Sequence, residues 1–436
     1  MRAAPTRPSV FSSGSRRREA LALLAALPAA LASLTACGEH DSRGGGRIDT
    51  VWHRADLEAL LSRWLTHAPR PGGGFQTRFD RAWNARPQPE LELVVQARLV
   101  YAFAAGHEIT QDPRHLEAAR RGADFLLERF ADPVHGGFFH TVAPDGSPRA
   151  QAKRAYDHAF VLLALAELHR VGGEARHRDA ALKAWSDIAA GFVDATGGLV
   201  DECGRDFRPM PGGRTQNPVM HMFEALLALR EATGDKGAEA GARRLGDFVA
   251  YKLLQGQADG GARIPEWYDE AWQPLPTKDA GGYIDLGHQF EWSHLLTTGA
   301  AVSPVYAQVS ERVLAYALSA GYDDIDGGCG RRAFPDAAKV DASKGWWQQA
   351  ECLHALLVAA QASGRNDLWR RCEQTQGLIK DQLVDAEHGG WREADALPCK
   401  SGGCQDEQPD PYHMVRLHQA ALRLADALPA TRTAAR

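Results

Sequence analysis

A glycine doublet recurs along the chain at nearly constant spacing, and this repeat restricts the possible folds more than any other feature. The doublets begin at Gly73, Gly136, Gly197, Gly260, Gly327 and Gly389, at intervals of 63, 61, 63, 67 and 62 residues. Most of them follow an aspartate within a few positions, namely Asp132, Asp194, Asp259, Asp326 and Asp385. Five nearly equal steps indicate six copies of one structural unit.

Each unit contains two stretches with helical periodicity. In the first complete unit these are residues 91–106 and 113–130, and the pattern returns at 156–170 with 178–192 and at 219–233 with 238–254. The stretch 113–130 carries its apolar residues on a single stripe: Leu116, Ala119, Ala123, Leu126 and Phe130. Strand-like alternation is nearly absent, so the sequence predicts an all-α fold.

Six helical hairpins can stack as an open superhelix or close on themselves as a double ring of twelve helices. An open array would more often show polar capping repeats at its ends. A closed ring also makes one concave face where loops from every repeat converge, and the unusual residues described below are spread over most of the repeats. We therefore predict the closed ring.

The N-terminus has the features of an export signal. A basic segment with Arg16 and Arg17 precedes a small, apolar run from Ala20 to Ala36, which is typical of a signal peptide on the twin-arginine route. Leu34 to Cys37 has the form of a lipobox, which predicts lipidation of Cys37. We expect residues 1–37 to be the signal, 38–47 a flexible tether and 48–430 the folded domain. The domain would lie on the periplasmic side of a membrane, attached to it only through the lipid. An ordinary secretory signal with an incidental cysteine is the alternative.

Composition excludes some classes of partner. The formal net charge of -5 argues against a nucleic-acid surface. Beyond Cys37, six cysteines remain: Cys203, Cys329, Cys352, Cys372, Cys399 and Cys404. In an oxidising compartment they could form three disulfides, with Cys399 and Cys404 as the local candidate pair. No paired C-x-x-C occurs, so we predict no metal site.

Two similar histidine–glutamate pairs indicate one shared site. His288 and Glu291 lie at i and i+3 in a helical stretch, so their side chains share a face, and His221 and Glu224 repeat the arrangement. His413 follows near the end of the chain. Histidines that titrate near neutrality beside carboxylates suit general acid–base catalysis.

Other residues are candidates for binding, each with a structural alternative. Arg98 and Tyr101 lie one turn apart among apolar residues, so Arg98 either pairs with a buried group or grips a substrate oxygen. His158 begins an apolar helix, where a capping or core role competes with a place in the pocket. Asn217 lies where a loop enters a helix, and it could cap that helix or bind a hydroxyl or anionic ligand at the N-terminus.

An aromatic segment suggests a carbohydrate surface. Trp347 follows another tryptophan and precedes Glu351 at the head of a helix. Indole faces bind the C–H surface of sugars while carboxylates bind hydroxyls, although core packing explains one tryptophan equally well. The chain has no G-x-S-x-G, G-x-x-x-x-G-K-[ST] or G-x-G-x-x-G after a strand, which argues against a serine nucleophile or a nucleotide site.

Taken in order, these motifs resemble those of the N-acylglucosamine 2-epimerase superfamily over essentially the whole mature domain. The matching stretches are Arg98-x-x-Tyr101-x-Phe103, Tyr156-x-His158-Ala159-Phe160, Arg214-x-x-Asn217-x-x-Met220-His221-x-x-Glu224, Gly287-His288-x-x-Glu291-Trp292, Trp347-x-Gln349-x-Glu351 and Tyr412-His413. Two of them are most similar to the mannose isomerase branch. The resemblance implies an (α/α)6 barrel, which agrees with the six-unit repeat.

The resemblance also implies proton transfer on a sugar without a redox cofactor. The ring is opened, a base takes the C2 proton, and an enediolate returns to the ketose or to the epimer. His288 and His413 would be the acid–base pair and His221 a candidate for ring opening. Glu224 and Glu291 would orient or tune the neighbouring imidazoles, and Arg98 would stabilise the developing oxyanion.

By the same resemblance the segment from Trp347 to Glu351 would hold the sugar. Two other interpretations stay open at this point. A glycoside hydrolase or lyase could use the same toroid, although hydrolysis usually needs two opposed carboxylates. A glycan-binding lipoprotein without turnover could keep the pocket.

Overall fold

The computed structural model describes residues 47–276, 282–334, 339–393 and 407–427. Twelve α-helices make up most of this part of the chain. They are α1 Thr50–His67, α2 Leu93–Thr110, α3 Pro113–Phe125, α4 Ala155–Gly172, α5 Ala175–Gly191, α6 Gln216–Thr233, α7 Lys236–Phe248, α8 Leu286–Gly299, α9 Val305–Gly321, α10 Trp346–Ser363, α11 Asn366–Leu378 and α12 Tyr412–Asp426. Helices α3, α7 and α11 each continue into a wider π-helical turn, at Leu126–Phe130, Val249–Leu253 and Ile379–Leu383.

The even-numbered helices form a closed inner ring. Each packs against the next in the series, and α12 packs against α2, which closes the circle. Helices α3, α5, α7, α9 and α11 each pack outside the inner helix that precedes them, and α1 packs against α12 and α2. The inner helices are buried on nearly every side, as the long apolar run of α4 requires, whereas α3 buries only one stripe. The prediction of an (α/α)6 barrel is therefore confirmed.

Short strands border one end of the barrel, before the N-termini of the inner helices. The strands are β1 Leu91–Glu92, β2 Thr141–Val142, β3 Lys153–Arg154, β4 Glu202–Cys203, β5 Arg214–Thr215, β6 Gln255–Gly256, β7 Ala262–Arg263, β8 Trp267–Tyr268, β9 Ile284–Asp285, β10 Arg332–Phe334 and β11 Lys339–Asp341. All pairings are antiparallel, joining β1 with β2, β3 with β4, β5 with β8, β6 with β7, and β10 with both β9 and β11. They tie the loops of neighbouring repeats together around this end.

The glycine doublets form the turns that lead from an outer helix toward the next inner one. Gly136 and Gly137 both have positive φ, 74° and 66°, a conformation that glycine adopts without strain. The turn is closed by an antiparallel bridge between Ala131 and Phe138. Asp132 accepts hydrogen bonds from backbone N–H groups inside the turn, which explains why an aspartate precedes most doublets.

Several sequence predictions fall outside the described residues or need correction. The export signal, Cys37, and the Cys399–Cys404 pair lie outside the described residues. Cys203, Cys329, Cys352 and Cys372 are buried free thiols, so the expectation of three disulfides is wrong. Among the described helices, none combines the length and the apolar character needed to cross a membrane.

Candidate active site

Each of the six inner helices contributes a side chain from its first two turns to one end of the barrel. The contributing residues, in helix order, are Arg98, Tyr156, His221, His288, Trp347 and His413. This is the end bordered by the strands. Convergence of one residue per repeat explains why the predicted site residues are spread over most of the sequence.

His288 is held by a glutamate from a loop and not by the glutamate on its own helix. Its Nδ1–H donates to Glu266 Oε2 at 2.7 Å. Gln216 Nε2 donates to the same oxygen at 2.9 Å, and Trp292 Nε1 donates to Gln216 Oε1, which fixes the orientation of the amide. The prediction that Glu291 orients His288 is therefore corrected, because Glu266 takes the Nδ1–H. The Nε2 atom of His288 has no hydrogen-bond partner among the described residues.

The charges around His288 favour its protonated form. Burial opposes protonation, but the nearby carboxylates of Glu266 and Asp285 outweigh it and raise the pKa of His288 to about 10. Asp285 also accepts the His288 backbone N–H as the N-cap of α8. His288 is thus an imidazolium at neutral pH, suited to donate a proton from Nε2.

His413 is the second imidazole of this end of the barrel. Its Nδ1–H donates to Glu351 Oε1 at 2.7 Å, and His294 Nε2 donates to the other oxygen of Glu351 at 2.8 Å. The indole of Trp347 is close to both candidate catalytic rings, with centroid distances of 4.9 Å to His288 and 5.4 Å to His413. In both imidazoles Nδ1 is therefore occupied, whereas Nε2 can bind another partner near the Trp347 indole.

His221 and Glu224 are paired as the sequence predicts. His221 Nδ1–H donates to Glu224 Oε2 at 2.9 Å, and the Tyr412 hydroxyl donates to the same carboxylate at 2.6 Å. Arg416 forms an ion pair with Glu224. Burial lowers the pKa of His221 to about 4 despite the hydrogen bond to Glu224, so this imidazole is neutral at pH 7.

Glu291 is a buried carboxyl group of a different kind. Its side chain is fully buried, and neither oxygen has a hydrogen-bond partner among the described residues. One oxygen lies 3.8 Å from His221 Nδ1, and the group is also close to Glu351 and His413. Burial and the adjacent Glu351 carboxylate raise the pKa of Glu291 well above its usual range. Glu291 is thus a neutral acid between His221 and His413.

Arg98 lies at the edge of the site in an ion pair. Its guanidinium donates to Asp410 at 2.9 Å and to the Tyr156 hydroxyl at 2.5 Å. The group also lies over the ring of Phe160, 4.3 Å from its centroid. Of the two roles considered for Arg98, the structure supplies the buried partner, and stabilisation of an oxyanion stays a prediction.

Two predicted binding residues point elsewhere. Glu351 is fully buried, and both of its oxygens accept hydrogen bonds from histidines, so its predicted contact with sugar is corrected to a supporting contact with His413. The Tyr101 hydroxyl donates to Gln419 Oε1 at 2.9 Å, on the side away from the two free Nε2 atoms. Its predicted role in binding is corrected in the same way.

His158 has a structural role. Its Nδ1–H donates to Arg154 O at 2.8 Å, while Nε2 accepts from the Phe138 backbone N–H at 2.9 Å. In two other repeats a glutamine, Gln96 or Gln349, accepts the N–H of the residue directly after the doublet. Gln289 accepts the Ile264 N–H, three residues after its doublet. Because both ring nitrogens bind backbone, the prediction that His158 contacts substrate is corrected.

Asn217 remains available to a ligand. Thr215 caps α6 by accepting the Asn217 backbone N–H, so the amide side chain does not serve as the cap. The Oδ1 atom of Asn217 is buried and has no hydrogen-bond partner among the described residues. An acceptor in this state gains from a hydroxyl donor, and the predicted contact of Asn217 with substrate stays a prediction.

Sequence reasoning missed four supporting residues: Glu266, Asp410, Arg416 and His294. Arg416 and His294 lie within apolar helices, where the rule that a buried charge needs a partner could have found them. Glu266 lies in a loop 22 positions before His288, and no local pattern connects the two.

Among the described residues, three groups of buried ligand atoms are close enough to hold a cation. They are His294, Glu351 and His354; His221, Glu224 and Glu291; and Glu291, Glu351 and His413. His294 in the first group and His413 in the third already donate to Glu351, and in the second Arg416 already supplies a positive charge to Glu224. Each group thus contains a carboxylate that already has a hydrogen-bond donor or a positively charged partner.

Comparison with known proteins agrees with this arrangement. Residues 73–416 match the model of the family described as N-acylglucosamine 2-epimerase (GlcNAc 2-epimerase). The chain belongs to this family. It is 28% identical to D-mannose isomerase from Thermobifida fusca, over 84% of this chain and 94% of the relative. Cellobiose 2-epimerase from Eubacterium cellulosolvens is 24% identical, over 84% of this chain and 96% of that protein.

A solved structure of D-mannose isomerase superimposes with a TM-score of 0.79 at 21% identity, covering 88% of this chain and 100% of the other. That likeness supports the (α/α)6 fold. These relatives are named as epimerases and isomerases, and the family is that of an epimerase. The protein is therefore an isomerase or epimerase. The arrangement of the imidazoles then suggests how such an enzyme would work.

Proposed function

We propose that the protein interconverts a free aldose with its ketose or its 2-epimer by proton transfer between histidines and an enediolate. One observation carries the proposal. The imidazoles of His288 and His413 both lie beside the Trp347 indole, and each donates its Nδ1–H to a glutamate while its Nε2 has no hydrogen-bond partner among the described residues. A sugar against the indole would lie beside the Nε2 atoms of both rings.

The surroundings of the two rings suggest a division of roles. His288 is the proton donor, because its carboxylate neighbours hold it as an imidazolium. His413 takes the C2 proton at Nε2, and the Glu351 carboxylate stabilises the imidazolium that forms. Return of a proton to C1 gives the ketose, and return to C2 from the opposite face gives the epimer. An active site with two histidines beside the same sugar is compatible with both outcomes.

His221 is the candidate for ring opening. It is neutral at pH 7, so it can accept the proton of an anomeric hydroxyl. Glu291, a neutral acid 3.8 Å from His221, can donate to the ring oxygen that is released. Together these two groups would interconvert the cyclic and open forms that the proton-transfer step requires.

An uncharged sugar suits the charges near these histidines. Arg98 is paired with Asp410, and Arg416 is paired with Glu224. A phosphate group would have to displace one of these carboxylates, whereas a sugar hydroxyl can bind alongside them. This supports a free aldose as the substrate.

Proton NMR in D2O tests the proposal. The purified domain is incubated with mannose, fructose, glucose, N-acetylmannosamine and cellobiose. Ketose formed from an aldose with solvent deuterium at C1 indicates isomerisation, and deuterium at C2 of an epimeric aldose indicates epimerisation. His288→Ala and His413→Ala should both remove the exchange.

The same measurement can reject the proposal. Binding of a sugar without any exchange would overturn enzymatic turnover and leave the glycan-binding interpretation. Release of a monosaccharide from cellobiose would favour a hydrolase. The hydrolase interpretation is not favoured, because the described carboxylates next to these histidines are fully or almost fully buried, at 5% exposure or less, and Glu224, Glu266 and Glu351 support imidazoles.

We also propose that the chain is exported and lipidated at Cys37, as the lipobox and the arginine pair indicate. Labelling with radioactive palmitate in a bacterial host tests this. Label should enter the wild-type protein and be absent from Cys37→Ser. Replacing Arg16 and Arg17 by lysine should retain the precursor in the cytoplasm. Labelling of Cys37→Ser would reject the assigned cysteine.

A further inference from the structure

The helix that carries His288 also carries a histidine that the proposed mechanism does not use. His294 lies on α8 beneath the candidate site and is 2% exposed. Its Nε2 atom lies 2.8 Å from Glu351 Oε2. Its ring stacks on His354 with a centroid distance of 3.8 Å. Both histidines line a cavity of about 240 Å³ on the side away from Trp347.

Glu351 needs a hydrogen-bond donor on the side of His294 to remain charged and oriented toward His413. A fully buried carboxylate has two oxygens that both require donors, and loss of either leaves an expensive unsatisfied group. His413 supplies the donor for Oε1, and His294 supplies the donor for Oε2. No other described residue donates a hydrogen bond to Glu351. His294 therefore fixes both the charge and the direction of the carboxylate.

Two glutamates compete for one proton at this point. Oxygens of Glu291 and Glu351 lie within 4.8 Å of each other, so both cannot easily be ionised. Glu351 has two imidazole donors, whereas Glu291 has none among the described residues. The proton consequently stays on Glu291, and Glu351 keeps the negative charge that faces His413.

We propose that His294 is a positioning residue for the proton-transfer step, acting through Glu351 to keep His413 oriented and its imidazolium stabilised. This rests on the proposed function of His413. His294 touches neither the Trp347 face nor the free Nε2 atoms, so its effect is on the rate of proton transfer and not on sugar binding.

The chain offers a matched control in His354. It belongs to the same stack, is buried to a similar extent, and lines the same cavity. Its Nδ1 atom lies 3.9 Å from Glu351 Oε2, beyond hydrogen-bond distance, and has no hydrogen-bond partner among the described residues. Replacing either histidine by phenylalanine keeps an aromatic ring in the stack. Only the change at His294 removes a donor to Glu351.

The first test compares turnover of His294→Phe, His354→Phe and His294→Gln. We expect His294→Phe to lower kcat about 10- to 100-fold, the range known for loss of a hydrogen-bonding support behind a metal-bound histidine, with KM changed less than about threefold. His354→Phe should stay within about threefold of the wild type. His294→Gln, which restores an N–H at the position of Nε2, should recover most of the loss.

Equal losses in the two phenylalanine variants would overturn the proposal in favour of packing alone. The proposal would fail as well if His294→Gln were as slow as His294→Phe, since a donor would then be irrelevant. A rise in KM without a fall in kcat would place His294 in sugar binding and contradict a positioning role.

The second test follows the hydrogen bond from His413 to Glu351 directly and does not depend on catalytic turnover. In protein labelled with ¹⁵N-histidine, the Nδ1–H resonance of His413, assigned by its loss in His413→Gln, should shift or disappear in His294→Phe and persist in His354→Phe. An unchanged resonance in His294→Phe would overturn the proposal. If that resonance changes in His294→Phe but His413→Ala retains full activity, the contact through Glu351 is supported. The proposed catalytic function of His413 is then the hypothesis that is rejected.

Discussion

His288 and His221 lie on neighbouring inner helices, and each donates its Nδ1–H to a glutamate, yet their protonation is opposite. The pKa of His288 is raised to about 10, and that of His221 is lowered to about 4. Glu224 is already compensated by Arg416 and Tyr412. Glu266 instead acts together with a second acid, Asp285, to hold the charge of His288.

The difference shows that a hydrogen bond to a carboxylate does not by itself set the charge of an imidazole. The balance of all nearby charges decides it. His221 resembles His158 in this respect, because burial lowers the pKa of His158 to about 4 as well, although its hydrogen-bond partners are backbone groups. One barrel thus holds an imidazolium suited to donate protons and neutral imidazoles suited to accept them or to hold the fold.

The largest expected effect comes from removing the proton-transfer histidines. His288→Ala should lower kcat about 10²- to 10⁴-fold, the usual contribution of a general acid or base. His221→Ala should cost less, because sugar rings also open without a catalyst in water. Steady-state kinetics with the substrate found by NMR checks both. His135→Ala, at an exposed turn position, is the control. Equal losses for His288 and His221 would contradict the division of roles.

The second effect concerns stability in acid. A histidine in the unfolded chain takes up a proton near its ordinary pKa of 6.5, whereas buried His221 resists protonation down to about pH 4. Acidification through this interval therefore favours the unfolded chain, by about 3 kcal/mol in the free energy of unfolding. Urea unfolding of the wild type and His221→Asn between pH 7 and 4 measures this. The variant should lose less stability on acidification, and identical pH dependences would show that His221 titrates normally.

A third prediction concerns the alkaline side of the pH–rate profile. The pKa of His288 is raised to about 10, so the proton donor is present at neutral pH and is lost as pH rises through that value. Glu266→Gln removes the main source of the rise. If the pKa returns to its ordinary value, the rate at pH 8 should fall about 30-fold and the alkaline limb should move to lower pH. If the alkaline limb of the pH–rate profile does not move, Asp285 alone would account for the raised pKa of His288.

The smallest effect is expected at His158, a histidine whose hydrogen-bond partners are backbone groups. His158→Ala leaves the buried Phe138 N–H without an acceptor and should lower the free energy of unfolding by about 1–3 kcal/mol. His158→Gln should recover most of this, because glutamine has the same role at Gln96 and Gln349. Thermal unfolding measures the cost. A raised KM with unchanged stability would return His158 to the binding site.

The sequence by itself determined the helices, their number per repeat and the closed ring. Apolar periodicity marks each helix, and the glycine doublet with its aspartate marks each turn, since both are local consequences of backbone geometry. It also determined the pairing of His221 with Glu224, because residues at i and i+3 share a helix face and both side chains are buried together.

Only the tertiary structure decided the partners of the other histidines. His288 and Glu291 have the same spacing as His221 and Glu224, yet Glu266 arrives from a loop and takes the imidazole, which leaves Glu291 a neutral acid. Glu351 likewise supports His413 from another helix, with His294 behind it. Spacing along a helix fixes which side chains are neighbours, whereas the charge on each depends on groups brought in from distant repeats when the ring closes.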